Sequence, residues 1–389
     1  MNEQADISIV KGIMTDFSDS TGLSTTGKSP RRYLWTDAFA VCNLLELYQR
    51  TGDEGWLNLA LRLVDQVHYI LGRHRADDSR TGWISGFTEG EGIKHPTIGG
   101  LRIGKKMNER KPDDPHDDHL EWDRDGQYYH YLTKWMHALN RLSRSTGNSI
   151  FNLWAIELTK AAHAGFVHVS RFGSKRMYWK MSIDLSYPLV FSMGHHDPLD
   201  GLITYNQIQA TVNERFDASG PDLDSEIADM ELLCKGKNWA TDDPLGLGGL
   251  LCHGYTILQL IVQDRLTDTG LLKEVLDSSL TSLNAHMIDR FLSFPADYRL
   301  AFRELGMAIG LHAVERIEGL MAEKPNVFEK NHPIYSQIKH LRRFVGLGEA
   351  IEKFWLDPEN RTTKTWTEHH EINSVMLATS LAPDGYLRL

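Results

Sequence analysis

Cysteine is scarce in this chain. Cys42, Cys234 and Cys252 are the whole complement among 389 residues, an odd number with no C-x-x-C spacing. That excludes a disulfide framework or a zinc knuckle as the basis of the fold. Basic runs are equally scarce: 42 Lys and Arg stand against 52 Asp and Glu, for a formal charge of −10. Neither nucleic acid nor an anionic membrane is expected as a partner. No apolar run approaches the ~18 residues that span a bilayer. The opening MNEQADISIVKGIM has neither the basic start nor the apolar core of a signal peptide. A soluble, cytoplasmic protein is expected. Phosphate-binding motifs are missing too, since GFTEGEGIKHPTIGGLRIGKK lacks G-x-x-x-x-G-K-[ST] and does not follow a strand. No cofactor motif stands out, and without H-E-x-x-H no metal centre is expected.

What the chain does have is helical periodicity. Residues 33–50, YLWTDAFAVCNLLELYQR, are apolar nearly all round, as in a helix buried on most sides. TGDE then breaks the pattern, with Gly52 placed to end one helix and Asp53 to cap the next. The following helix is one-sided: Leu57, Leu61, Val64, Val67 or His68, and Leu71 form a stripe opposite Asn58, Arg62, Asp65 and Gln66. The same pairing recurs after a second break, TGN, where Phe151, Trp154, Leu158 and Ala161 or Ala162 form the stripe. Between Pro188 and Gly201 the pattern is interrupted, and a shorter pair is expected at roughly 201–212 and 222–235.

Buried members are expected to start near 33, 122, 187–201, 246, 298 and 366. Six pairs, each with a buried and a solvent-facing helix, predict an all-α closed ring occupying 1–389 as a single domain. An open solenoid is the alternative, but solenoid repeats run to about 34–47 residues and are more uniform than these units. The longest connection, 73–121, is charged and glycine-rich; it is expected as an inserted loop, either covering the ring mouth as a lid or lying on the surface without a role. Alternating inner and outer helices in six pairs, with Trp-acid motifs at inner-helix starts, resemble the six-hairpin glycosidase-like (α/α)6 barrels. The resemblance covers nearly the whole chain and implies a sugar-active enzyme.

Three inner helices are expected to begin alike: YLWTDAF (Trp35, Asp37), LEWDRDGQYYHY (Trp122, Asp123, Asp125) and TWTEHHEIN (Trp366, Glu368). Each tryptophan offers a face on which a sugar ring can lie, and each acid a hydrogen bond or a proton. The plain alternative is that the acids cap helices and favour the helix dipole. A glycosidase needs one carboxylic acid of raised pKa and a second carboxylate. Asp125, against the apolar wall of Trp122, Tyr128 and Tyr129, is expected as the acid, with Asp37 or Glu368 as the second carboxylate. Asp123 is expected as a cap or as a binder of sugar hydroxyls.

His195, His196, Asp197 and Asp200 crowd a turn-rich loop, where a histidine can act as a base or bind a sugar, or the acids simply cap the next helix. Arg31 and Arg32 suit the carboxylate of an acidic sugar or pair with nearby acids. His369 is a further histidine beside Glu368. Cys42 and Cys252 are expected as buried structural thiols. The leading expectation is a glycoside hydrolase acting on an oligosaccharide or a small molecule. Its alternatives are a sugar epimerase or isomerase using His195 or His196 with a histidine near 369, and a non-catalytic ring that binds a carbohydrate or a protein.

Overall fold

The computed structural model describes residues 3–24, 29–215, 221–285, 292–329 and 332–389. Two compact units divide the chain: Ser18–Gly236, and Met1–Phe17 with Lys237–Leu389. Helix α1 (Glu3–Ser20) opens the sequence. Within the first unit, α2 (Leu34–Thr51) pairs with α3 (Glu54–Leu71), α6 (Tyr129–Thr146) with α7 (Ile150–Phe166), and α8 (Asp197–Arg215) with α9 (Asp224–Cys234). Helix α6 packs against α2 on one side and α8 on the other, so α2, α6 and α8 form an inner layer and their partners an outer one.

The inner helices are buried because their sequences leave no polar face. Every residue of α2 from Leu34 to Leu47 is buried, whereas α3 buries only a stripe through Ala60, Leu63, Val64, Val67, His68 and Leu71. Both expected breaks are built from the same chemistry. Gly52 and Gly147 adopt φ of 67° and 75°, a left-handed conformation that glycine alone accepts without cost. The threonine before each glycine bonds back into its own helix, Thr51 to the Leu47 carbonyl (2.6 Å) and Thr146 to that of Leu142 (2.7 Å). The same hydroxyls accept from the backbone N–H groups of Asp53 and Asn148, whose side chains in turn accept from Gly55 and Ile150.

The second unit is assembled differently. Its inner helices are α10 (Pro244–Val262), α12 (Ala301–Glu323) and α16 (His370–Leu381), with α11 (Thr269–Ala285), α13 (Pro333–Leu341) and α14 (Gly346–Leu356) packed outside them, and a short α15 (Lys364–Thr367) before α16. Helix α10 is, by length and composition, apolar enough to cross a membrane, which the sequence reading overlooked; 78% of it is buried inside the protein. It crosses α12 at glycines. A Cβ on Gly310 would sit 2.6 Å from the Gly248 Cα, and one on Gly248 would clash with the Gly306 carbonyl. Helix backbones this close leave no room for a methyl group.

Three expectations on helix boundaries need correction. The inner helix foreseen from residue 122 begins at Tyr129: α5 (Asp118–Asp123) ends first, and Gly126, at φ 144°, turns the chain before α6. Asp117, rather than any acid of the LEWDRD stretch, caps α5 by accepting from His119 and Leu120. Helix α8 starts at Asp197 rather than 201, because Pro198 fits a first helical turn, where its missing N–H has no partner to lose. The connection 73–121 holds α4 (Glu89–Lys94) and α5 and is fastened by ion pairs described below. Strands are short: β1 (Gln127–Tyr128), β4 (Lys180–Met181) and β5 (Pro188–Val190) form one antiparallel sheet in the order β1-β4-β5, and β2 (Val167–Val169) pairs with β3 (Lys175–Met177).

Two outcomes follow for the second unit. Gly248→Ala or Gly310→Ala should each cost about 1–3 kcal/mol by overpacking, read by urea denaturation; a neutral result would mean the helices can separate freely. His312 of α12 lies 2.7 Å from Glu352 of α14 and 3.3 Å from Glu315. Burial lowers its pKa, but the bonds and charges of the two glutamates outweigh this and raise it to about 9. Because the folded pKa is raised, this stabilisation is full below the ordinary 6.5 and is lost as pH climbs to about 9. Thermal melts across that window should fall more steeply for the native protein than for His312→Gln.

Candidate active site

The amino-terminal ends of α2, α6 and α8 converge within the first unit. Trp35, second residue of α2, lies 5.3 Å from Tyr131 and 6.2 Å from His130, ring centre to ring centre. The Tyr33 and Tyr131 hydroxyls share a hydrogen bond of 2.7 Å. The β1–β4 pairing, which sets Tyr128 opposite Lys180, brings Trp179 to 5.1 Å from the Tyr128 ring, and Trp179 lies parallel to His130 at 6.2 Å. Helix α8 comes close because Gly201 faces the Tyr129 hydroxyl, which donates to Tyr205 at 2.7 Å; a side chain at 201 would block that approach.

Polar groups stand beside this aromatic cluster. Asp197 Oδ1 is 3.8 Å from His130 Nδ1, and Lys134 Nζ is 3.5 Å from Asp200 Oδ1. His130 Nδ1 is buried and has no hydrogen-bond partner among the described residues. Burial lowers its pKa to about 4, with the Asp200 charge opposing and the Lys134 ammonium assisting. At neutral pH the imidazole is therefore uncharged and retains a basic nitrogen. His195 and His196 lie 4.6 Å apart, ring centre to ring centre and tilted by 44°, just before α8, and the His196 carbonyl accepts from Asp200 N–H. His195 is exposed and His196 half-buried.

Several expected site residues have other occupations. Asp125 is buried, and both of its oxygens are engaged. Its Oδ2 accepts from Arg75 (3.0 Å) and Arg102 (2.9 Å), and its Oδ1 from the backbone N–H groups of Gly104 and Gly126. A carboxylate bonded this way has its oxygens taken up by the protein's own donors and none turned toward a substrate. Asp37 is likewise buried, accepting from Arg32 at 3.2 Å and from the Tyr33 N–H at 2.9 Å. Arg32 is thereby consumed, its other Nη bonding the Thr21 carbonyl at 2.6 Å, and it cannot meet an acidic sugar. Trp366 is a core residue, stacked on Trp355 at 5.6 Å, rather than a platform. Glu368 is exposed and pairs with Lys364, and His369 packs edgewise on Phe302; all three belong to the second unit.

Other expected residues keep their availability. Trp122 is 54% exposed and meets Trp179 edge-on at 5.3 Å. Asp123 is exposed beside it and has no ion-pair partner among the described residues. Tyr128 is buried beneath the cluster. Cys42 and Cys252 are buried, and burial pushes the Cys42 thiol up to about 12, so it is inert. Sequence reasoning missed His130, Lys134 and Trp179. His130 had a signal: it is the second residue of its inner helix, the register Trp35 occupies in α2. Trp179 had none, since only strand pairing brings it in.

No protein-family profile matches this sequence, and no curated protein matches it either. Solved structures do. An α-mannanase of glycoside hydrolase family 76 from Bacteroides thetaiotaomicron is similar over 98% of this chain and 99% of its own, at 8% identity and a TM-score of 0.56. An inactive α-1,6-mannanase variant from Salegentibacter, solved with an α-1,6-mannotetrose, is similar over 97% and 99%, at 12% identity and a TM-score of 0.50. Cellobiose 2-epimerase from Spirochaeta thermophila is similar over 96% and 97%, at 12% identity and a TM-score of 0.48. The likeness shows the fold alone: an all-α chain with the (α/α)6-barrel fold of these two mannanases.

The reassignment of Asp125 has a direct test. Asp125→Asn leaves Arg75 and Arg102 without their counter-charge and should cost about 3–5 kcal/mol of stability, the usual penalty for halving a buried ion pair. Urea denaturation measures it. An unchanged midpoint with lost activity would return Asp125 to the chemistry.

Proposed function

We propose that this protein is a carbohydrate-active enzyme that hydrolyses a glycosidic bond where α2, α6 and α8 converge. One observation carries the reading: aromatic rings of three separate segments gather round the neutral imidazole of His130, which itself lies 3.8 Å from the Asp197 carboxyl. Aromatic faces bind the apolar face of a pyranose, and the polar groups beside them bond its hydroxyls. Both mannanases of the same fold act on glycosidic bonds, which favours hydrolysis.

Glycoside hydrolysis requires two carboxyl groups. Asp197 is assigned as one, beside the sugar-binding rings, and Asp123 as the other, because it remains exposed and unengaged when Asp37 and Asp125 are locked in ion pairs. His130 accepts a hydrogen bond from a sugar hydroxyl, and Lys134 pairs with Asp200 beside it. A second reading, sugar epimerisation, draws on His130 itself, since a neutral imidazole is what a general base must be.

Proton NMR of the protein with neutral and acidic oligosaccharides, α-1,6-mannans among them, and with free sugars tests both. Hydrolysis gives new anomeric signals, and Asp197→Asn should reduce their rate by about 10²-fold or more while leaving the thermal melt unchanged. Conversion of a free sugar without cleavage, abolished in His130→Ala, would replace hydrolysis by epimerisation. No turnover across the panel would leave a sugar- or protein-binding barrel.

A further inference from the structure

The aromatic cluster continues outward from the site. From Trp35 the ring centres step to Tyr131 (5.3 Å), Tyr128 (5.2 Å), Trp179 (5.1 Å) and Trp122 (5.3 Å). Exposure is greatest at the far end of this path: Trp35 and Tyr128 are buried, Tyr131 and Trp179 are half-buried, and Trp122 is open to solvent. Each step is comparable to the length of one pyranose unit. Trp122 is not needed to close a core. It stands in the last turn of a six-residue helix, touching Trp179 by an edge, and Asp123 follows it with a free carboxylate. An exposed indole face of this kind holds the apolar face of a pyranose.

We infer that Trp122 and Trp179 form an outer subsite, so that the protein recognises a chain of several sugar units rather than a free monosaccharide. The inference rests on the carbohydrate reading above and adds the length of the ligand and the residue that measures it. The half-buried Tyr131 and His130 bind the first unit, and Trp179 and then Trp122 bind units farther along the same chain. Trp122 is a specificity residue; it takes no part in bond cleavage.

The test is binding, followed through the indole N–H signals of the intact protein labelled with 15N-tryptophan. The probes are α-1,6-linked mannose oligomers and β-1,4-linked glucose oligomers, each from monosaccharide to tetrasaccharide. Ten tryptophans give a tractable spectrum, with Trp122 and Trp179 assigned from Trp122→Phe and Trp179→Phe. The expected result is that a tetrasaccharide of one series shifts both signals and binds about tenfold more tightly than its monosaccharide, the gain of roughly one stacked aromatic contact. Trp122→Ala should erase that gain and leave the monosaccharide affinity unchanged. Equal affinity at every length, or a gain that survives Trp122→Ala, would overturn the outer subsite while leaving the inner site standing. No indole shift with any sugar would overturn both.

Discussion

Everything at the candidate site depends on one carboxylate that has been taken out of water. A buried charge is tolerated only when its lone pairs are filled, and Asp125 fills them from two guanidinium groups and two backbone amides. Those donors come from residues 75, 102, 104 and 126. One side chain thus fastens the start and the middle of the long connection to the segment that precedes α6. Around it the backbone closes further: Asp125 N–H bonds the Met107 carbonyl, Ile103 N–H that of Gly126, and Leu34 N–H that of Ile103. The start of α2 and the start of α6 are thereby tied to the same piece of chain. Trp35 and His130 meet because of that tie.

The electrostatics of these two histidine environments show how neighbours decide what loss of solvent alone would not. His130 and His312 both lose solvation. His312 gains two glutamates and becomes a cation; His130 has Lys134 close enough to oppose Asp200 and stays neutral. The first binds helices together, and the second keeps a lone pair for a ligand. Loss of solvent is thus common to both and diagnostic of neither.

The architecture was legible in the sequence to the extent that it rests on periodicity and punctuation. The inner helices expected near 33, 246, 298 and 366 begin at Leu34, Pro244, Ala301 and His370, and both Thr-Gly breaks fall where Gly52 and Gly147 end their helices. The site was less legible because a carboxylate reads the same whether it faces solvent or an arginine fifty residues away. Asp37 and Asp125 were singled out for their company with tryptophan. Their real partners, Arg32, Arg75 and Arg102, are invisible to helical spacing. Trp179 enters through a register between two-residue strands, too short to announce itself.

The two Thr-Gly turns give the first unit an asymmetry with a history in it. Where α2 passes to α3 and α6 to α7, the chain spends two or three residues and repeats the same threonine and Asp/Asn hydrogen bonds. The return journeys, from α3 to α6 and from α7 to α8, carry all the added material: two short helices, five strands and the loop of histidines. Such a scaffold can lengthen, shorten or recolour one rim without disturbing the opposite one. Divergence in what is recognised then costs nothing in how the helices are joined, which is how a chain can keep a fold at 8–12% identity while its sequence drifts beyond recognition.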